Sequence, residues 1–255
     1  MNRLIQKLFT ANQYDTRLSI LEKLSKYDDT LVTDAILEHM GDSNEADRII
    51  VAETLSRYNN IKSRNALKKL LRDKEILVRL YAAESLGILQ DKSAINDLIE
   101  LLADKSDIVR IESIDSLGAM KAKKAEDALI NLLLNDRIAL VRGYAAESLA
   151  EIGSRKAKKI IQEKLLTERQ GHARLRMYSA LYMMGDNENI QKVFGFLKSR
   201  YYRIRCAAAN TLLFIVREED MDETVKVLSE ALKKEKTVAV QSSIRGFFKE
   251  YGIDT

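Results

Sequence analysis

A ten-residue motif returns about every 31 residues along this chain. The segment Val78-Arg79-Leu80-Tyr81-Ala82-Ala83-Glu84-Ser85-Leu86-Gly87 is matched by Val141-Arg142-Gly143-Tyr144-Ala145-Ala146-Glu147-Ser148-Leu149-Ala150. Between them, in step, lies Val109-Arg110-Ile111-Glu112-Ser113-Ile114-Asp115-Ser116-Leu117-Gly118. Stepping outward gives eight units, with starts at 16, 47, 78, 109, 141, 175, 204 and 240. Such a period means stacked copies of one supersecondary unit, because no single copy can bury its own apolar face.

The columns say what the unit is. The second reads Arg17, Arg48, Arg79, Arg110, Arg142, Arg176, Arg205 and Gln241. The fifth reads Ile20, Val51, Ala82, Ser113, Ala145, Ser179, Ala208 and Ile244, and the ninth Leu24, Leu55, Leu86, Leu117, Leu149, Met183, Leu212 and Phe248. Apolar positions four apart share one face of a helix. A second amphipathic segment follows each motif, at Ala66–Leu71, Ile95–Leu102, Ala128–Leu134, Ile160–Leu166, Ile190–Leu197 and Val225–Leu232. The chain has no proline, which permits helix almost anywhere along its 255 residues. Gly87, Gly118, Gly153 and Gly185 are expected at left-handed C-terminal positions of the first helices. Asp42, Asp73, Asp104 and Asp136 stand five residues ahead of a motif, where the next helix needs its free N–H groups satisfied.

Asp, then Val-Arg, then Ala-Ala-Glu-Ser-Leu-Gly resembles the HEAT-like repeats first associated with phycobilin lyases, over nearly the whole chain. The resemblance implies an all-α, right-handed α-α superhelix (an α-solenoid) of about eight two-helix repeats. It is expected to run as one array from 1 to 255, with an N-terminal cap over 1–11 carrying Leu4, Ile5, Leu8 and Phe9. It also implies first helices on a convex side and second helices on a concave side. Arg48, Arg79, Arg110 and Arg142 should form a ladder with Asp42, Asp73, Asp104, Asp136 and nearby loop carbonyls. A guanidinium carries five donors in a fixed fork, suited to bridging two turns. Glu22, Glu53, Glu84, Asp115 and Glu147 form a further column, expected on a solvated face opposite the core.

Little in the chain points to chemistry. His39 and His172 are the only histidines and Cys206 the only cysteine, so no disulfide framework or cysteine-rich zinc site can form. The two histidines are expected to be surface or packed residues and not ligands, and Cys206 to be structurally buried. No Walker loop, Gly-x-Gly-x-x-Gly or Gly-x-Ser-x-Gly motif occurs. The resemblance brings in two enzyme classes, and the residues argue against both. Di-iron deoxyhypusine hydroxylases carry His-Glu pairs early in the repeat helix, and this chain has none. HEAT-like DNA glycosylases use an aromatic cleft with tryptophan, and the chain has no tryptophan. No catalytic, cofactor or metal residue is assigned.

Charge is the one uneven property. From Arg155 to Arg205 there are 13 basic residues against 4 acidic ones, although the whole chain is only +4. Lys156, Lys159, Lys192, Arg200, Tyr201, Tyr202 and Arg203 are the candidate partner-binding residues there. The function expected is a non-catalytic scaffold that binds a protein partner on the concave face. A nucleic-acid-binding solenoid working through 155–205 is the alternative. A phycobilin lyase-like enzyme or chromophore carrier is the one implied by resemblance alone. A monomer in the cytoplasm is expected, with no membrane association.

Overall fold

The computed structural model describes residues 1–11, 13–40 and 44–253. Asp42, expected in the ladder, lies outside them. The described residues form sixteen α-helices joined by short turns, with no strand, and none is long and apolar enough to cross a membrane. The chain divides into two compact units, Met1–Ala125 and Glu126–Thr255.

The first unit opens with α1 (Asn2–Thr10), which buries Ile5 and Leu8 beneath α2 (Tyr14–Leu24). Then follow α3 (Asp29–Leu37), α4 (Glu45–Leu55), α5 (Ile61–Leu70), α6 (Ile76–Ile88), α7 (Ile95–Leu101) and α8 (Asp107–Ala119). Motif helices pack on motif helices, α4 against α6 and α6 against α8. Leu24, Leu55, Leu86 and Leu117 are all fully buried, so the ninth column is the spine of this core. Serines join it: Ser85 Oγ donates to the Ala52 carbonyl (2.9 Å) and Ser116 Oγ to the Ala83 carbonyl (3.0 Å), one helix back in each case. These bonds satisfy hydroxyls that would otherwise be costly to bury.

The second unit contains α9 (Glu126–Asn135), α10 (Ala139–Glu151), α11 (Ala157–Thr167), α12 (Gly171–Met183), α13 (Asn189–Phe196), α14 (Tyr202–Ile215), α15 (Met221–Lys234) and α16 (Val238–Glu250). Here α10 packs on α12, α12 on α14 and α14 on α16. Its core ends in Phe247 and Phe248, whose rings meet edge to face. Cys206 is half-buried against this cluster.

Arginines tie each motif helix to its neighbours. Arg79 chelates Asp104 with Nε and Nη2 (2.8 and 3.0 Å) and donates from Nη1 to the Asp73 carbonyl six residues back (2.9 Å). Arg48 chelates Asp73 in the same way (2.7 and 2.9 Å). Arg110 reaches the Asp104 carbonyl (2.9 Å), and Arg142 reaches the Asp136 carbonyl (2.7 Å) and the Glu168 carboxylate (2.7 Å). Arg205 holds Glu235 and the Ser199 carbonyl, and Gln241 keeps the six-back bond to the Glu235 carbonyl. The acidic partners also accept from backbone N–H groups at the start of the next motif helix, as Asp104 does from Ser106 and Asp136 from Ile138. Ion pair and N–H bond together hold Asp73, Asp104 and Glu168 below the usual carboxylate range despite burial, and Glu235 at about 2.

Two members of the expected arginine column stand elsewhere. In the sixth unit the six-back bond belongs to Arg174, which donates to the Glu168 carbonyl (3.0 Å). That unit therefore starts at Ala173, two residues before the expected Leu175. Ala173 and Leu181 occupy the core places that the sequence assigned to Leu175 and Met183. Both registers put apolar residues in the right columns, and only the guanidinium bond separates them. Arg17 lies 3.7 Å from Glu53 and lines a cavity instead.

The glycine expectation is also revised. Gly87 and Gly118 are the last residue but one of their helices and keep helical geometry. Gly87 is required by close approach, since a Cβ there would sit 2.5 Å from Ser116 Oγ. Besides Gly252 (φ 63°), the left-handed residues are Gln90 (φ 52°), Lys121 (φ 51°), Gly153 (φ 71°) and Gly185 (φ 87°). All four stand eleven residues after the ladder arginines Arg79, Arg110, Arg142 and Arg174. Each closes a turn in which the next N–H returns to the carbonyl five residues back, as from Asp91 to Leu86 (3.1 Å) and Ala122 to Leu117 (3.0 Å).

Arg79→Ala should lower unfolding free energy by about 2–3 kcal/mol in urea titration, because Asp104 keeps its charge in a half-dry site. Arg79→Lys should recover only part of that loss, since an ammonium cannot chelate. Lys121→Gly should raise stability by about 0.5–1 kcal/mol, as the left-handed conformation penalises a side chain.

Candidate functional site

The face of each motif helix away from the buried leucines is not plain solvated surface. It is lined by positions two and five residues beyond the ladder arginine, together with the next turn. In the second unit α10 supplies Tyr144, Glu147 and Glu151, α12 supplies His172 and Arg176, and α14 supplies Arg203. The Arg176 guanidinium lies 3.5 Å over the Tyr144 ring and forms a close ion pair with Glu147. Glu147 is only 14% exposed, so that carboxylate is stabilised by its arginine and not by water. Burial pushes Glu147 above the usual range, with Arg176 opposing. Burial, then Glu147, push Glu151 up to about 7, with Arg176 pulling it down. His172 is pushed below the usual imidazole value by burial, then by Arg176 and Arg203.

In the first unit the corresponding face carries Tyr81 and Glu84 of α6 and Glu112 of α8. Beside them a cavity of about 400 Å³ opens between α2, α4 and α6, with Arg17, Glu53, Arg57, Tyr81 and Glu84 on its walls. Burial, then the neighbouring Glu84, push Glu112 up to about 7. Of the acidic column expected on a solvated face, Glu22 and Asp115 are exposed, whereas Glu53, Glu84 and Glu147 are half-buried. A helix flanked by two others has little free circumference, so side chains from the next helix lean over this row. Glu112, Glu151 and the role of Arg176 were missed by sequence reasoning. The signal that could have found Glu112 is its place three residues after the motif start, where Tyr81 and Tyr144 stand in the flanking units; Arg176 shares that place only in the register that Arg174 sets, and nothing in the sequence marks Glu151.

The sequence-derived basic set is divided. Lys156, before α11, binds Asp127 (2.6 Å) and Glu126 (3.1 Å), so its charge is largely answered. Lys159 of α11 stands in solvent 3.8 Å from Glu163, and Lys192 of α13 is exposed. The other four gather at the head of α14. Arg200 stacks on Tyr201 (4.6 Å) and Arg203 lies over Tyr202 (6.0 Å), with both rings largely exposed. Arg203 also reaches the first-helix face through its effect on His172. His39, by contrast, is stacked on Phe9 at 4.2 Å.

Stacked helical hairpins joined by arginine–carboxylate rungs define a helical-repeat protein of the α-solenoid class. The chain belongs to the HEAT repeats family, whose model matches it over 33–118, 66–142, 96–182 and 126–213. Among solved structures it is similar to the complex of CpcE and CpcF of phycocyanin lyase from Nostoc sp. PCC7120. That overlay has a TM-score of 0.65 at 19% identity, covering 86% of this chain and 94% of that one. It is also similar to the YibA protein of Escherichia coli, with a TM-score of 0.56 at 21% identity, covering 96% and 94%. No curated protein matches it by sequence.

The raised carboxyl of Glu151 has a defined consequence for stability. An unfolded glutamate ionises near pH 4.3, whereas the folded one holds its proton to about 7. Between those values the folded state binds more protons, so stability falls as pH rises through the window, and the cost is complete above it. Glu151→Gln should therefore raise the melting temperature at pH 8, by an amount equivalent to about 1 kcal/mol after allowing for solvent screening. The gain should shrink toward pH 5.

Proposed function

We propose that this HEAT-repeat protein is a non-catalytic scaffold that binds another protein on its first-helix face. The observation that carries the reading is the composition of that face. Half-buried charges and tyrosines alternate with apolar side chains left in water, among them Ile88 at 61% exposure and Phe214 at 84%. Tyrosine, arginine and isolated large apolar groups are what binding surfaces concentrate. The Arg200–Tyr201 and Tyr202–Arg203 pairs extend the face at the head of α14. On this reading the partner sits on the first helices, whereas the sequence alone favours the second. The lyase-like reading rests on fold likeness, and no residue of the face adds to it.

One observation favours a nucleic-acid reading as the runner-up: the two exposed arginine–tyrosine stacks, which could take unpaired bases. Against it, Lys156 is occupied by two carboxylates.

A photo-crosslinking residue at Phe214, expressed in the native host, separates the two. One defined protein adduct is expected, lost when Tyr201→Ala and Arg203→Glu are added, while the melting temperature stays within about 1 °C. Adducts to nucleic acid, or none under several growth conditions, would overturn the scaffold reading.

A further inference from the structure

The arginine rungs set the repeats in a common register, and that register reveals a site in the first unit. Counting from the rung, Tyr144 and Glu147 of α10 stand two and five residues beyond Arg142, as Tyr81 and Glu84 of α6 stand beyond Arg79. The two helices are identical from Tyr to Leu, Tyr-Ala-Ala-Glu-Ser-Leu. On α10 the Tyr–Glu pair cradles a guanidinium: Arg176, two residues beyond rung Arg174 on the next helix, stacks on the ring and pairs with the carboxylate. On α8 the equivalent residue, two beyond rung Arg110, is Glu112. The same cradle is thus met by a carboxylate in place of the arginine.

The substitution leaves an excess of negative charge. Arg17 answers Glu53 at 3.7 Å, but among the described residues no hydrogen bond or ion pair reaches Glu84 or Glu112. Glu112 is close enough to Glu84 for that charge to raise its carboxyl. Glu84 and Tyr81 also border the 400 Å³ cavity, whose walls include Leu18, Leu21, Ile50 and Ile88. A long side chain with an apolar stem and a planar cationic head meets all of these features.

We infer that Tyr81, Glu84 and Glu112 form a binding site for an arginine side chain of a partner protein, the place of Arg176 being filled from outside the chain. Glu84 would pair with the guanidinium as Glu147 does, Glu112 would add a second carboxylate, and the stem would lie in the cavity. Arg17 and Arg57 on the cavity wall restrict the site to one cation and oppose a polybasic segment. The inference deepens the scaffold reading by naming the chemistry the partner presents.

The test titrates the full chain with a capped Gly-Arg-Gly peptide, and with its citrulline analogue, while amide NMR shifts are followed. Saturable shifts confined to α6 and α8 are expected, with the citrulline peptide at least about tenfold weaker. Glu84→Gln should weaken the arginine peptide about tenfold. Glu112→Arg should abolish binding and melt above wild type, because the chain then fills its own cradle. No saturable shift, equal binding of the neutral analogue, undiminished binding in either variant, or a lower melting temperature for Glu112→Arg would each overturn the inference. If the photo-crosslinked partner is captured equally well by Glu84→Gln, this site fails while the scaffold stands. If the peptide binds but no partner is found, the scaffold fails while the site stands.

Discussion

The fork of donors on a buried guanidinium is the interaction on which the rest of this architecture depends. Arg79, Arg142 and Arg205 each spend one arm on the carbonyl six residues back in their own loop and two on a carboxylate in the next loop. The same carboxylate receives an N–H from the helix that follows. One side chain thereby sets the entry angle of its own helix and the position of its neighbour. Apolar burial alone would let hairpins slide or rotate, since leucine columns tolerate several registers. The sixth unit shows this, for its apolar pattern fits two registers and its guanidinium bond fits one.

The fold was legible because its determinants are local and repeated. Arg79, Leu86 and Asp104 announce themselves by returning at fixed intervals, and packing follows from periodicity. Two local features were misread for the same reason. Gly87 reads as a helix stop in any single repeat, yet the helix continues past it because the glycine serves a neighbour, not its own backbone. The true left-handed place is held by Gln90 and Lys121 in the first unit, so glycine content could not reveal it.

The candidate site was much less legible, and the cause is geometric. Glu84, Asp115 and Glu147 look like one outward column when a helix is considered alone. Whether such a carboxylate meets water, an arginine or another carboxylate depends on a residue roughly 29 positions later, on a separate helix. Arg176 and Glu112 decide that outcome in opposite directions. Binding chemistry in a repeat protein thus resides in departures from the repeat, which averaging over columns removes.

The contact between Gly87 and Ser116 has a further implication. With 2.5 Å between a hypothetical Cβ and the serine oxygen, the two positions behave as a single shared volume, and neither can grow unless the other shrinks. In the second unit the corresponding places are held by Ala150 and Ala180, where a methyl has been gained on one helix and a hydroxyl given up on the next. Among relatives of this chain the two sites should therefore drift together, as a conserved sum and not as two conserved residues.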